Sequence, residues 1–266
     1  MRPMINSDID TVTHLLLDAG NTRLKWARAR GTRLLGGGAL SYAPPARFAA
    51  GLRRLRREAL GCDRVFVASV ASATIERAIR RALRGTGRPA PRFVRVGRRS
   101  CGVVNAYAEP WRLGVDRWVA LIGARSRLPG RALCIASVGT ALTLDLLDAG
   151  GRHRGGAIAP GPDLMVRSLL ERTAGIARRA GGGAGAGRSL YTRSTRGAIE
   201  AGARHACAAL IERAVDEGRR RLGRRPLLLL TGGGASGLAP LLGGSWRRDD
   251  GLVMRGLLVL SGAQYR

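Results

Sequence analysis

Two stretches of this 266-residue chain repeat one layout, and that repetition limits the possible folds more than any other feature. Leu15-Leu16-Leu17-Asp18 is an apolar run that ends on a carboxylate; Ala19-Gly20-Asn21-Thr22 turns the chain, and Arg23-Leu24-Lys25-Trp26-Ala27 alternates as a returning strand. Further on, Arg131–Val138 reads as a buried strand, Gly139-Thr140 as the tip and Ala141–Leu147 as the return. Two strand–Gly–(Asn)–Thr–strand hairpins predict a duplicated α/β architecture with phosphates held between the tips. Backbone N–H groups at such turns hold phosphate oxygens. A strand-end Asp supplies the hard oxygen ligand, or the water-orienting group, that nucleotide-bound Mg²⁺ needs.

Lys25 is the only lysine among 46 basic residues. In a chain that otherwise uses arginine, its position points to a site that wants a compact ammonium and not a planar guanidinium. Lys25 follows Leu24 and precedes Trp26, so no G-K-[ST] sequence exists and a Walker A phosphate loop is excluded.

Composition narrows the class. Hydrophobic residues make up 45% of the chain, enough for a sizeable core, and no stretch approaches the ~20 apolar residues of a membrane helix. The run Leu15–Leu17 is too short for a signal peptide. Cys62, Cys101, Cys134 and Cys207 form no C-x-x-C pair, so neither a zinc site nor a disulfide framework is expected, and a reducing cytoplasm fits. The formal charge of +28 would suit a nucleic-acid partner, but the arginines are spread through every segment in the manner of a GC-rich genome. Salt-sensitive sticking to polyanions is expected, with no specific nucleic acid and no membrane as partner.

In order, residues 1–13 are polar and expected to fray. A third strand over Arg33–Tyr42 follows the first hairpin, and then come a helix over 46–60, a strand over 64–70, a helix over Thr74–Leu83 and a strand over 92–96. Next lies Asn105-Ala106-Tyr107-Ala108-Glu109-Pro110-Trp111-Arg112-Leu113-Gly114, leading into a helix from Val115 to Ala124. Asp116 in its first turn is either a favourable charge at the helix dipole or a general base, with Arg117 beside it to hold an anionic part of a substrate. Pro129-Gly130 marks a boundary between lobes spanning 14–128 and 131–266. In the second lobe Gly155–Gly161 supplies closely packed backbone before a helix near Asp163, and the Gly- and Arg-rich Arg178–Arg188 is expected to be a mobile loop. A long helix over Ser194–Leu222 precedes a strand, Leu227–Leu230. That strand ends in Thr231-Gly232-Gly233-Gly234, a turn that lets a flat ligand such as adenine approach the backbone. A last helix, Arg255–Gly262, is expected to close the second lobe.

The motifs Asp18-x-Gly20-Asn21-Thr22-x-x-Lys25, Gly114-x-Asp116-Arg117, Gly139-Thr140-Ala141-x-Thr143-x-Asp145, Gly155-Gly156-x-Ile158-x-Pro160-Gly161, Ser194-Thr195 and Thr231-Gly232-Gly233 occur in this order. The series resembles the type III pantothenate kinases, which include the proteins called Bvg accessory factors, from about residue 14 onward. The resemblance implies two ribonuclease H-like lobes of the actin, sugar-kinase and heat-shock ATPase superfamily. It also implies ATP-dependent phosphorylation of pantothenate, the first step of coenzyme A synthesis.

Carried over residue by residue, it makes Asp18, Ala19, Gly20, Asn21, Thr22, Arg23, Leu24 and Lys25 the first phosphate-binding segment, with Asp18 near Mg²⁺ directly or through water. Thr140 becomes a contact to the ATP phosphates and Asp116 the catalytic base. Tyr107, Gly114, Val115, Asp116 and Arg117 become pantothenate-binding positions, and Thr195 a substrate contact reached across a homodimer interface. Where the family has an Asp that ligates a monovalent cation (K⁺ or NH₄⁺), this chain has Ser137. His14, His153 and His205 lie outside the motifs and are expected to be structural or exposed. A kinase acting on a sugar or another small alcohol, and a non-catalytic regulatory or nucleic-acid-binding protein on the same fold, are the alternatives.

Overall fold

In the computed structural model, which describes residues 12–85, 90–181 and 187–263, Leu15, Leu16 and Leu17 are all completely buried in the first strand. A continuous apolar run of this kind belongs to a strand covered on both faces. The expectations for residues 1–11 and for the middle of the Gly- and Arg-rich stretch, 182–186, lie outside the described residues. The chain divides into two units, Met1–Pro129 with Gly251–Arg266, and Gly130–Asp250.

In the first unit β1 (Thr13–Ala19), β2 (Arg23–Arg30) and β3 (Arg33–Ser41) form an antiparallel meander. After α1 (Pro45–Leu60), β4 (Arg64–Ser69) adds parallel to β1, and after α2 (Ala73–Ala82), β5 (Arg92–Phe93) adds to β4. The sheet order is β3-β2-β1-β4-β5. Helix α1 starts with a proline at its first position and buries Phe48, Leu52, Leu55 and Ala59 at helical spacing, leaving its arginines outside. These side chains join Leu15, Leu17, Val65 and Val67 of the sheet and Ile79 of α2 in one core, at about 1.5–3 kcal/mol for each fully buried large side chain. A small ribbon, β6 (Arg99–Ser100) with β7 (Val103–Val104), follows, then α3 (Val115–Arg127). The strand expected over 92–96 is two residues long.

The second unit repeats the order. Its β8 (Leu133–Val138), β9 (Ala141–Leu147) and β10 (His153–Pro160) form the meander, and β11 (Leu227–Thr231) and β12 (Trp246–Arg248) add in parallel, giving β10-β9-β8-β11-β12. Both sheets therefore have the ribonuclease H-like layout. Between β10 and β11 lie α4 (Pro162–Arg172), α5 (Ala174–Arg179) and α6 (Thr195–Leu222), with a short α7 (Ala235–Leu238) after β11. Helix α6 is stopped by Gly223, whose φ of 67° is the left-handed conformation that glycine adopts without strain.

Three expectations need correction. Residues 153–160 are a full strand where only packed backbone was expected; a register shift between His153 and Gly156 breaks the alternation there. The loop expected from Arg178 onward begins with the end of α5, since Ala174–Arg179 is helical. The last helix, α8 (Leu252–Ala263), belongs to the first unit, where it packs on α3 and β1. A Cβ on Gly123 would lie 2.1 Å from the Leu252 carbonyl oxygen, and one on Gly256 would lie 1.9 Å from that of Val119. Two glycines thus let the α3 and α8 backbones touch, a contact that helical periodicity does not reveal.

Candidate active site

In the first hairpin Asp18 is the last residue but one of β1, and its register partner on β2 is Lys25. Leu24 is buried and Ala19 has no exposure, so both anchor the tip, whereas Asn21, Thr22 and Arg23 are exposed on it. The Gly20 N–H donates to the Arg23 carbonyl at 3.2 Å and closes the turn. Tyr42, which no sequence motif singles out, braces the tip by donating its hydroxyl proton to the Gly20 carbonyl at 2.9 Å. Burial and the nearby Asp18 charge push the Tyr42 hydroxyl far up, which keeps it a donor.

The Asp18 carboxyl is largely enclosed. Burial pushes it up to about 6; Lys25 pulls the other way, and the charge of Asp116 adds to the rise. Two carboxylates from β1 and α3 therefore share one electrostatic site. The sign of the linkage follows: between about 4 and 6 the folded protein keeps a proton that the unfolded chain has released, so rising pH through that window removes stability. Asp18→Asn removes this effect. In urea unfolding of the nucleotide-free protein, the stability of the variant relative to wild type should grow from pH 4 to pH 7 by roughly 2–3 kcal/mol at most. Parallel pH curves for the two proteins would mean that Asp18 is not enclosed.

Asp116 sits in the first turn of α3, whose N-cap is Gly114. Its Oδ1 accepts the Arg117 N–H at 2.8 Å, and a Cβ on Gly114 would come within 2.6 Å of that same oxygen. Glycine at 114 therefore gives the carboxylate its room. Val115 opens the helix, and Arg117 points inward, only 5% exposed, with Nη1 donating to the Tyr107 hydroxyl at 3.1 Å. A buried guanidinium held in this way suits a carboxylate partner. Asp18, Lys25, Tyr107, Gly114, Val115, Asp116 and Arg117 all fall in the first unit.

Ser137, Thr140 and Thr195 belong to the second unit. The tip of the second hairpin is closed by the Gly139 N–H, which donates to Ala141 O at 3.0 Å, and the Thr140 carbonyl accepts the Gly161 N–H at 2.9 Å. A Cβ on Gly161 would lie 2.1 Å from the Gly139 carbonyl oxygen, and one on Gly232, at φ 97°, would lie 2.3 Å from that of Val138. Two glycine turns are thus pressed against this one tip. Ser137 pairs in register with Thr143 and Thr231, so its neighbours across the sheet are hydroxyl side chains. Thr195 is the first residue of α6, next to the cap Ser194, whose Oγ accepts the Gly197 N–H at 3.1 Å. Among the expected structural histidines, His14 and His153 are buried, with His153 Nε2 2.8 Å from Asp145 Oδ1, while His205 lies near the Arg188 carbonyl at 3.1 Å.

Among the described residues, no three His, Cys, Asp or Glu side chains gather into a metal cage. The enclosed Asp18 carboxylate fits Mg²⁺ in a different way, since this ion binds through one or two carboxylates with phosphate and water oxygens completing its shell. No helix among the described residues is long and apolar enough to cross a membrane.

Known proteins resemble this chain in sequence and in fold. The sequence profile of the type III pantothenate kinase family matches residues 14–217. The type III pantothenate kinase of Aromatoleum aromaticum is 43% identical over 247 residues, covering 93% of this chain and 97% of the relative. That of Azoarcus sp. (strain BH72) is 39% identical over 251 residues, covering 94% and 90%. Among solved structures, a conserved putative Baf family transcriptional activator from Campylobacter jejuni superposes with a TM-score of 0.57 at 17% identity, covering 95% of this chain and all of the other. A putative 2-dehydro-3-deoxygalactonokinase from Sinorhizobium meliloti gives 0.58 at 11% identity, covering 95% and 99%. At such identities the structural likeness speaks for the fold alone, two five-stranded sheets of the same strand order with helices between their strands. The sequence relationship goes further: the chain belongs to the type III pantothenate kinase family.

Proposed function

We propose that this protein transfers the γ-phosphoryl group of ATP to the primary hydroxyl of pantothenate, giving 4′-phosphopantothenate for coenzyme A synthesis, with Asp116 as general base. The observation that carries the reading is the enclosed Asp18 carboxyl, in register opposite Lys25 and within reach of the Asp116 charge, in a member of this family. Phosphoryl transfer depends mainly on positioning and charge stabilisation. Asp116 orients the acceptor hydroxyl and takes its proton. Arg117, steadied by Tyr107, holds the pantothenate carboxylate, and Gly114 and Val115 shape the wall beside it. The Asp18–Lys25 tip receives the nucleotide phosphates on its backbone N–H groups and the Lys25 ammonium, with Asp18 holding Mg²⁺ directly or through water. Mg²⁺ supplies neutralisation of phosphate charge. In the second unit Thr140 contacts the ATP phosphates, and the Gly232–Gly234 turn takes the adenine side.

Calorimetry tests the substrate pair. With a non-hydrolysable ATP analogue present, pantothenate should bind and glucose should not, and Lys25→Arg should weaken the analogue because the larger, flatter head fits the phosphate pocket poorly. Binding of glucose in place of pantothenate would select the sugar-kinase alternative. Four unpaired cysteines suit a reducing cytoplasm. We further assign Thr195 to the acceptor site of a neighbouring subunit, which requires a homodimer, the commonest closed assembly. A fully active monomer in sedimentation at assay concentration would contradict that role.

Ser137 bears on the monovalent cation. A serine hydroxyl offers a neutral dipole where a carboxylate offers a full charge, and the carboxylate of β9, Asp145, is engaged by His153. Replacing K⁺ with Na⁺ at constant ionic strength should therefore change the rate less than about threefold, under ~0.7 kcal/mol on the transition-state scale. Activation by K⁺ of about tenfold or more would show that other oxygens hold the ion without position 137.

A further inference from the structure

We infer that Arg98 and Asn105, neither of which touches the reacting groups, are positioning residues that set the affinity for pantothenate; the inference rests on Tyr107 and Arg117 holding that acceptor. The two residues flank the β6–β7 ribbon, and the Asn105 N–H donates to the Arg98 carbonyl at 2.9 Å, extending the ribbon by one pair. From this base both side chains reach the segment that carries Tyr107.

Asn105 is 3% exposed and uses its whole amide group. Its Oδ1 accepts the Tyr107 N–H at 3.0 Å, while Nδ2 donates to the Pro110 carbonyl at 3.2 Å and the Gly97 carbonyl at 3.5 Å. Arg98 lies on the surface, and its two terminal nitrogens donate to the Tyr107 carbonyl at 2.7 Å and the Ala108 carbonyl at 2.5 Å. The peptide groups on both sides of Tyr107 are therefore fixed, as are those of Ala108 and Pro110. Residues 105–109 have no regular secondary structure to hold them, so these side-chain bonds do the work that a backbone ladder does elsewhere. Tyr107 then delivers the order onward: its hydroxyl accepts the Arg117 N–H at 3.1 Å, and Arg117 follows the base Asp116 directly.

An exposed clamp on one loop acts on the acceptor side alone. Loosening it leaves Asp18, Lys25 and the first-unit core in place but makes pantothenate pay for ordering the Tyr107 segment when it binds.

Steady-state kinetics on the full chain, with both substrates varied and the melting temperature recorded, test this. Arg98→Met keeps the apolar stem and loses two charge-assisted bonds. It should raise the KM for pantothenate about tenfold, leave the KM for ATP within about twofold, and melt close to wild type. Arg98→Lys, which can keep one carbonyl bond, should recover part of the loss. Asn105→Asp, which retains the acceptor for Tyr107 and loses both donors, should show the same one-sided rise in KM. Tyr107→Ala serves as the reference for the acceptor site. Wild-type kinetics in Arg98→Met beside a raised pantothenate KM in Tyr107→Ala would overturn the inference alone. An unchanged pantothenate KM in Tyr107→Ala would overturn the acceptor reading and the inference with it. Equal rises in both KM values, or activity lost in proportion to folded protein, would reduce Arg98 to a structural residue and also overturn the inference.

Discussion

Asp116→Asn should lower turnover by roughly 10²–10⁴-fold while nucleotide affinity stays near the wild-type value. The substitution is nearly isosteric, and the amide oxygen can still accept the Arg117 N–H that Oδ1 accepts in the wild type, so the first turn of α3 keeps its geometry. What is lost is the ability to take a proton from the acceptor hydroxyl. A second consequence follows from the shared site. Because the Asp116 charge helps to raise Asp18, its removal should let Asp18 ionise at lower pH. Steady-state rates with a nucleotide titration check the first effect, and the pH dependence of unfolding checks the second. Activity within a fewfold of wild type would remove Asp116 from the role of base.

Gly123→Ala should destabilise the protein by about 3 kcal/mol, against the usual preference for alanine in helices. In an open helix the same change is worth roughly 1 kcal/mol of added stability. Here the new methyl would land 2.1 Å from the Leu252 carbonyl oxygen, so α3 and α8 must move apart, and overpacking of this kind costs about 1–3 kcal/mol and occasionally more. Gly202→Ala on α6 is the control, since nothing lies within 4 Å of the added carbon. Urea midpoints should shift in opposite directions for the two variants. A stabilised Gly123→Ala would show that the helix pair adjusts freely. Since Asp116 and Arg117 lie in the first turn of α3, the same displacement should also lower activity in the protein that remains folded.

Both hairpins could be read from the sequence because their signals are local: an apolar run, a Gly–Thr turn and an alternating return lie within a dozen residues of one another. The sole lysine marked the strand position opposite Asp18 for the same reason. What escaped depends on contacts between distant segments. Chain order put the last helix in the second lobe, because no local pattern shows that Gly123 and Gly256 let α3 and α8 meet in the first unit. Strand β10 was hidden by Gly155 and Gly156, which have no side chains to alternate, and β6 and β7 by having two residues each. In the site, the residue types at 18, 116 and 117 suggested chemistry, but that the Asp116 charge bears on Asp18 is a property of the folded chain. Tyr42, Arg98 and Asn105 work through backbone carbonyls and N–H groups, partners that no sequence pattern names.

The most direct measurement is the fate of the γ-phosphorus of labelled ATP incubated with the full chain, Mg²⁺ and an equimolar mixture of pantothenate and sugars, for wild type and Asp116→Asn side by side. The wild type should place label in 4′-phosphopantothenate, with little in sugar phosphates or free phosphate, and the variant should do so at a rate lower by roughly 10²-fold or more. Label recovered mainly in another acceptor, or none transferred at all by folded wild-type protein, would contradict it.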